Sequence, residues 1–508
     1  MTRHARVLLP LVVAGVACSA GAPSRGDDSA APADAGAPAD TAAPADTAAP
    51  VDAAAVTGPH GDAPATFALS GDLTPDDAVA RFISVGRNVF GRATAVGDFD
   101  GDGTEDLVMG DERAYDGSSA LVGGAFVFYG PTSGDARSSW SADIELLAST
   151  PDGLAGFDVA SAGDVSGDSE EDLLIGAIAE DEGGAGAGAV YLVTALSSGR
   201  VDLESGSATL FSGEDPGDEL GRWLSPGGDL TGDGVPEVVL SSAAHDASTG
   251  AVYVFDRPDG GWVSAGAATV RIDGATTGEE FGKSYVGCDA NGDGIGDLWV
   301  ASFRGGDGEA GAAHLFTGPV RGVASSLDAD HVVTGGTAGD RLGYRMSCSQ
   351  DLTFDGRDDL LVSAPTWGGG DGAAFIVYGE SLTGGTSSTD DADVQLLSDG
   401  STEHWGLEPA LLDDIDGDER PDFAVGSPRA DDDAGAVHVF SGTQLGVLGP
   451  DDAVARFAGD PGSRAGWSVA SLPGDRFGGT GGLVVSALWF TSESSSVGAV
   501  YVLGAPAD

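Results

Sequence analysis

Asp98-Phe99-Asp100-Gly101-Asp102-Gly103-Thr104-Glu105-Asp106 is the stretch on which the reading of this chain turns. Carboxylates at its first, third and fifth positions point the same way when the backbone curls. Gly103 at the sixth lets the chain turn sharply, and Asp106 at the ninth closes a cage of hard oxygen ligands. Such a set suits Ca²⁺ better than Mg²⁺, which holds on to its waters. An EF-hand shares the first half of the pattern but needs a Glu at position twelve and flanking helices. Here Met109 stands at position twelve, and Leu107-Val108-Met109-Gly110 reads as a buried strand. The stretch is therefore expected to be a calcium loop between strands.

The pattern recurs. Asp164, Ser166, Asp168 and Asp172 repeat positions one, three, five and nine, as do Asp229, Thr231, Asp233 and Glu237. Asp289, Asn291, Asp293 and Asp297 follow, then Asp351, Thr353, Asp355 and Asp359, then Asp414, Asp416, Asp418 and Asp422. Successive loops start 60 to 66 residues apart, which marks a repeat architecture rather than chance acidic turns. Ser166, Thr231 and Thr353 are poorer ligands than Asp, so their loops should bind less tightly. A seventh unit shows in its flanks, Gly466-Trp467-Ser468-Val469-Ala470 and Leu483-Val484-Val485-Ser486-Ala487, but its loop keeps one carboxylate, Asp475. The cofactor expectation is about six Ca²⁺.

Each unit offers four short strand candidates separated by Gly-rich turns. In the third these are 221–225, 238–242, 251–255 and 269–272. Four strands per unit of about sixty residues, without helical periodicity, indicate an all-β fold, a seven-bladed β-propeller of four-stranded blades over residues 65–508. A parallel β-helix is the alternative, but its coils are shorter. Phe90-Gly91 and Phe281-Gly282, with Leu220-Gly221 and Leu342-Gly343, resemble the first half of the FG-GAP repeat. Gly176-Ala177-Ile178, Ser363-Ala364-Pro365 and Gly426-Ser427-Pro428 resemble the second. The array is similar to the seven-bladed propeller of integrin α subunits and its bacterial relatives. The resemblance implies calcium in the six loaded loops and says less about function, because one fold hosts many.

Ahead of the array, residues 1–18 carry Arg3, His4 and Arg6 and then an apolar run too short to span a bilayer, which reads as an export signal. Gly15-Val16-Ala17-Cys18 resembles a bacterial lipobox, with Gly15 where Leu is usual, and makes Cys18 the expected lipidation site. Cleavage at Ala20 or Ala22 is the alternative. Residues 19–64, rich in Ala, Pro, Asp and Thr, have little to bury and should form a disordered tether. The expected location is the cell envelope or surface, as an outer-membrane lipoprotein, with secretion as the alternative. Membrane contact is expected only through the lipid.

Pro75-Asp76-Asp77-Ala78-Val79-Ala80-Arg81-Phe82 recurs identically at 450–457, where the fourth strand of blade six belongs. Blade seven ends with its third strand, 499–503. Residues 77–82 should therefore supply its missing fourth strand and close the ring.

Eighty-one acidic residues against twenty-three basic ones give a net charge of −58, which repels nucleic acid and anionic lipid. Cys288 and Cys348 are expected to be buried thiols. His314 and His438 fall where other units carry Tyr191, Tyr253 and Tyr501, so they read as strand residues between blades. No nucleophile elbow or phosphate-cradling loop is evident, and the chain is expected not to be an enzyme. The expected function is a monomeric binding or adhesion propeller for an extracellular protein or glycan. A carbohydrate-active enzyme using the central depression and a structural envelope protein are the alternatives. Because the calcium loops join first to second strands, ligand is expected on the opposite face, at Arg113, Tyr115, Arg304, Trp367, Arg429, Trp489 and Phe490.

Overall fold

The computed structural model describes residues 69–504 apart from 85–88, 117–119, 131–136, 197, 259, 383, 399, 401–403, 474–480 and 493–494, and for 490–497 the backbone only. Cys18, the leader and the tether lie outside the described residues. Within them the chain forms seven antiparallel sheets, the blades of a β-propeller. Blade one runs Thr94–Gly97, Asp106–Asp111, Gly124–Phe128 and Ile144–Leu147 from the axis outward. Blade four repeats this as Phe281–Cys288, Asp297–Ser302, Ala312–Phe316 and His331–Thr334. Second and third strands are buried on both faces, being sandwiched between neighbouring blades.

The Gly of each blade's opening motif explains how the blades approach. Gly91, Gly156, Gly221, Gly282, Gly343, Gly406 and Gly466 all have positive φ, between 69° and 96°. A Cβ on Gly156 would lie 1.9 Å from the carbonyl of Gly124 in the preceding blade. Reciprocally, a Cβ on Gly176 would lie 2.0 Å from the carbonyl of Gly221. The first half of one repeat thus packs on the second half of the one before it. Ahead of the Gly, Phe90, Leu220, Phe281, Leu342 and Trp405 fill the wedge between blades and are buried.

Two features depart from the sequence reading. Six blades gain a fifth, parallel strand, donated by the next blade's connection between strands three and four, while blade three has only a parallel bridge from Asp273 to Ser325 of blade four. Gly199–Asp202 of blade two pairs with Ile144–Leu147 of blade one, and Gly385–Ser388 of blade five with His331–Thr334 of blade four. Six of the seven blades are thus clasped by a strand from the next. In blade three the expected inner strand at 221–225 makes no ladder. The Leu224 amide donates to Asp158 and the Ser225 amide to the Tyr285 hydroxyl, while Pro226 has no N–H to give.

Ring closure follows the same rule. Ala80–Ile83 pairs antiparallel with the third strand of blade seven, Ala80 facing Val502 and Ile83 facing Ala499. Upstream, Gly71–Leu73 is the fifth strand of blade six and pairs with 455–457 of the second octapeptide copy. Both copies fold alike, a 3₁₀ turn at Pro75–Asp77 or Pro450–Asp452 followed by a fourth strand. The amino-terminal segment is thus shared between blades six and seven.

Cys288 and Cys348 correct the expectation of free thiols: they form a disulfide between blades four and five, with Cα atoms 5.8 Å apart. Cys288 stands one residue before the Asp289 loop and Cys348 three before the Asp351 loop, so their offsets do not match in sequence. Inner strands converge on the axis, however, and bring the two within bridging distance.

A third tie crosses the axis. Arg345 of blade five reaches Asp158 of blade two at 3.4 Å and Glu408 of blade six at 3.5 Å, and its guanidinium lies 4.5 Å from the Trp223 ring centre of blade three. Burial pushes Glu408 up to about 7, against the pull of Arg345.

Two outcomes are expected. A chain starting at residue 84 leaves two blade edges uncovered and should aggregate or lose its cooperative transition. Gel filtration and calorimetry read this, and a monomer melting normally would contradict the closure. Arg345→Met strands two acids and should cost on the order of 3 kcal/mol, while adding Glu408→Gln should recover part of the loss.

Candidate functional site

The six acidic loops join the innermost segment of a blade, a first strand in all but blade three, to the second strand and so lie on one face of the ring. They share one backbone shape. The fourth and sixth residues have positive φ in each, including the non-glycine Phe354 at position four and Ser169 and Glu419 at position six. Exposure is also common to all. The first residue is half-buried, the fifth exposed, and the ninth (Asp106, Asp172, Glu237, Asp297, Asp359 or Asp422) at most 2% exposed.

That ninth carboxylate begins the second strand, where the ladder fixes it. In loop one, an Asp106 oxygen accepts from the Phe99 amide at 2.9 Å and the other from the Gly130 amide, just past the third strand, at 2.8 Å. Asp297 holds Asn291 and Gly318, Asp359 holds Leu352 and Gly379, and Asp422 holds Ile415 and Gly442 in the same way. Blade two has Ala195 in place of that glycine, and Asp172 Oδ1 is left buried without a hydrogen-bond partner. Asp98 Oδ1 in loop one is buried and unpartnered too. Blade three has Arg257 there, which pairs with Asp233 at 2.9 Å.

Burial drives the ninth carboxyls upward, to about 7 for Asp106, Asp359 and Asp422 and about 6 for Asp172 and Asp297; Glu237 is raised as well. Backbone amides oppose the shift and neighbouring loop carboxylates add to it. Sites that hold an anion at this cost, with oxygens left unsatisfied, suit a hard cation. Three loops already bring three carboxylates together, with ligand oxygens within 4.8 Å of one another: Asp98, Asp100 and Asp106; Asp229, Asp233 and Glu237; and Asp414, Asp416 and Asp422. Asp102 and Asp418, at position five, fall outside these trios. Loops two, three, four and five have Ser166, Thr231, Asn291 and Thr353 at position three and so one carboxylate fewer than loops one and six; loop three forms its trio with Asp233 at position five. The Asn291 amide donates to Asp297, and Thr231 likewise donates to Glu237. The seventh loop, with Asp475, lies outside the described residues.

The residues expected to bind ligand fall in or beside connections between second and third strands, on the opposite face. Tyr115 is 41% exposed. Arg113 and Arg429 are half-buried, Arg304 pairs with Glu280 at 2.9 Å, and Trp367 packs on the core between blades four and five. Trp489 lies under Arg464, and the side chain of Phe490 is outside the described residues. They are spread over five blades, one, four, five, six and seven.

A cluster does form at the axis on that face, and sequence reasoning missed it. Trp223, Phe303 and Tyr344 surround the Lys283 ammonium with ring centres 4.4 to 5.1 Å away, and Arg92 lies 3.7 Å from the Phe157 ring centre. Behind them is a cavity of about 110 Å³ lined by Arg92, Asp158, Trp223, Arg345 and Glu408. The signal was present: Arg92, Phe157, Arg222, Lys283 and Tyr344 each follow the motif Gly of their blade. His314, pushed down to about 4 by burial, contacts Ser302 and is neutral at physiological pH, and His438 is buried.

The FG-GAP repeat profile matches residues 90–122 and 405–440. Integrin alpha-PS2 of Drosophila melanogaster is 33% identical over 127 residues, 23% of this chain and 9% of the relative. Integrin alpha pat-2 of Caenorhabditis elegans is 28% identical over 261 residues, 47% of this chain and 20% of the relative. Phosphatidylinositol-glycan-specific phospholipase D of Mus musculus is 31% identical over 149 residues, 27% of this chain and 17% of the relative. The chain thus covers a fifth or less of each of these. Integrin-α-like propellers bind divalent cations, and the acidic loops supply the oxygens such ions need. With repeat, ring and loops in agreement, the described chain is an integrin-α-like FG-GAP propeller.

Proposed function

We propose that the chain is a calcium-stabilised propeller of the cell surface that binds an extracellular protein or glycan, with Ca²⁺ held in the six acidic loops. The observation that carries the calcium reading is the buried ninth carboxylate, fixed by backbone amides in every loaded loop and left with an unpartnered oxygen in Asp172. In loops one, three and six the carboxylates already gathered would hold the ion. In loops two, four and five Ser166, Asn291 or Thr353 would complete the set. Calcium supplies positive charge to a crowded acidic turn. The chain itself supplies the turn, the burial and the link to the third strand.

The adhesion reading rests on the likeness to integrin α subunits and on a division of labour between faces. One face is committed to cation loops. The other presents the axial aromatic and basic cluster together with Tyr115, and is free to vary. The leader pattern and the surface location of integrin α homologues support export. Glycan arrays and pull-downs with cell-surface extracts test the binding, and replacement of Tyr115 by Ala should weaken it without moving the melting temperature. Turnover of a polysaccharide, with no binding in either assay, would favour the enzyme alternative.

Two calcium outcomes follow. A site with a Kd of about 10⁻⁴ M in ~1 mM Ca²⁺ contributes about 1.4 kcal/mol, so six give about 8 kcal/mol. Excess EGTA should lower the melting temperature sharply, and an unchanged curve would refute the assignment. In the metal-free chain the ninth carboxyls have folded values above their unfolded ones. Their stabilisation is therefore complete below about pH 4 and is lost as pH rises towards 7. The EGTA-treated chain should melt at a lower temperature at pH 8 than at pH 5.5, with the calcium-loaded chain far less affected. Equal slopes for the two forms would count against these carboxylates.

A further inference from the structure

We propose that the six cation loops do not fill independently but as linked runs, the first with the second and the third with the fourth and fifth, with breaks set by two prolines. The proposal rests on the calcium reading above and concerns how neighbouring sites communicate.

The link is a backbone hydrogen bond repeated around the ring. The carbonyl of the first residue of one loop accepts from the amide of the eighth residue of the next. Glu171 donates to Asp98 at 3.0 Å, joining loops one and two. Gly296 donates to Asp229 at 2.8 Å and Asp358 to Asp289 at 2.9 Å, joining loops three, four and five. The Asp358 carboxylate also accepts from the Asp289 amide at 3.0 Å. In blade seven Gly481 donates to Asp414 at 2.8 Å. At the two remaining described junctions the eighth residue is Pro236, facing the Asp164 loop, or Pro421, facing the Asp351 loop. Proline has no N–H, so the bond cannot form.

In each loop the eighth residue adjoins the buried ninth carboxylate, and the first residue offers the carboxylate that accepts from the amides of the turn. A cation that orders one loop therefore places the donor that orders its neighbour's first residue. Ordering that one ligand has already produced need not be produced again, which is positive coupling without a shared ligand. At a proline junction the loops still touch, Pro236 lying close beside Gly163, but no donor passes between them.

The test uses the full chain, stripped with EGTA and titrated with CaCl₂. Amide hydrogen exchange read by mass spectrometry gives a midpoint for each loop. Emptying loop two with Asp164→Asn and Asp168→Asn should raise the loop-one midpoint about fivefold and leave loop three, across Pro236, within about twofold. Glu171→Pro should reproduce the loop-one shift while loop two still fills. Glu171→Ala, which keeps the amide and loses only the side chain, should not. Blades three and six carry proline at this position naturally, so the substitution suits the fold. Equal shifts in loops one and three, no shift in loop one, or equal effects of Glu171→Pro and Glu171→Ala would overturn the coupling while leaving the calcium sites standing. If no loop of the unaltered chain gained protection with calcium, the coupling and the calcium reading would both fall.

Discussion

A carboxylate buried at the first residue of each second strand is the constraint on which the rest depends. Removing an ionised carboxylate from water is unfavourable by several kcal/mol unless hydrogen bonds and counter-charge offset it. Six blades do so at the same place, at Asp106, Asp172, Glu237, Asp297, Asp359 and Asp422. Amides of the loop, and in four blades the amide of a glycine beyond the third strand, supply the hydrogen bonds. The counter-charge is what a cation provides. In those four blades the same carboxylate also ties the inner connection to the end of the third strand, so the site and the register of the blade are fixed together.

The ring has no single core. Its apolar side chains fall into several clusters wedged between or within blades, and six of the seven blades are clasped by a strand from the next. Such an architecture is as sound as its weakest junction, which by topology is where the chain ends meet. The shared segment over blades six and seven covers that junction, with Phe82 buried against Phe128 at a ring distance of 4.7 Å. The Cys288–Cys348 disulfide and the Arg345 tie pin the inner strands, where a propeller has little room for apolar volume.

Much of this was legible in the chain because repetition converts weak local signals into a period. Loop positions and strand order followed from spacing, ring closure from the identical octapeptides, and four of the blade-opening pairs, such as Phe90-Gly91, from their resemblance to a known repeat. The fifth strands were not legible: Gly199–Asp202 and Gly385–Ser388 are short, largely exposed edges with no buried alternation to betray them. The inner strand of blade three was misread because its apolar pattern is real, while its amides go to side chains of neighbouring blades. The disulfide and the axial cluster depend on seven inner segments converging on one axis. Sequence offsets show that convergence only after the units are aligned on their motif glycines. On the outer face, Trp367 and Arg304 resembled exposed ligand groups because loop residues of that kind usually are exposed; here one packs on the core and the other is paired.

The two faces thus answer to different physics, one to charge neutralisation and the other to whatever partner meets the axial cluster. The central claim is that the acidic loops are cation sites rather than solvated turns. Its most direct test is the metal content of the purified chain after dialysis against buffered, near-millimolar calcium, with free metal measured alongside. The account predicts about six bound calcium ions per chain, one for each loaded loop, and fewer when the ninth carboxylates are replaced by their amides. A chain that holds no calcium above the dialysis buffer would contradict it.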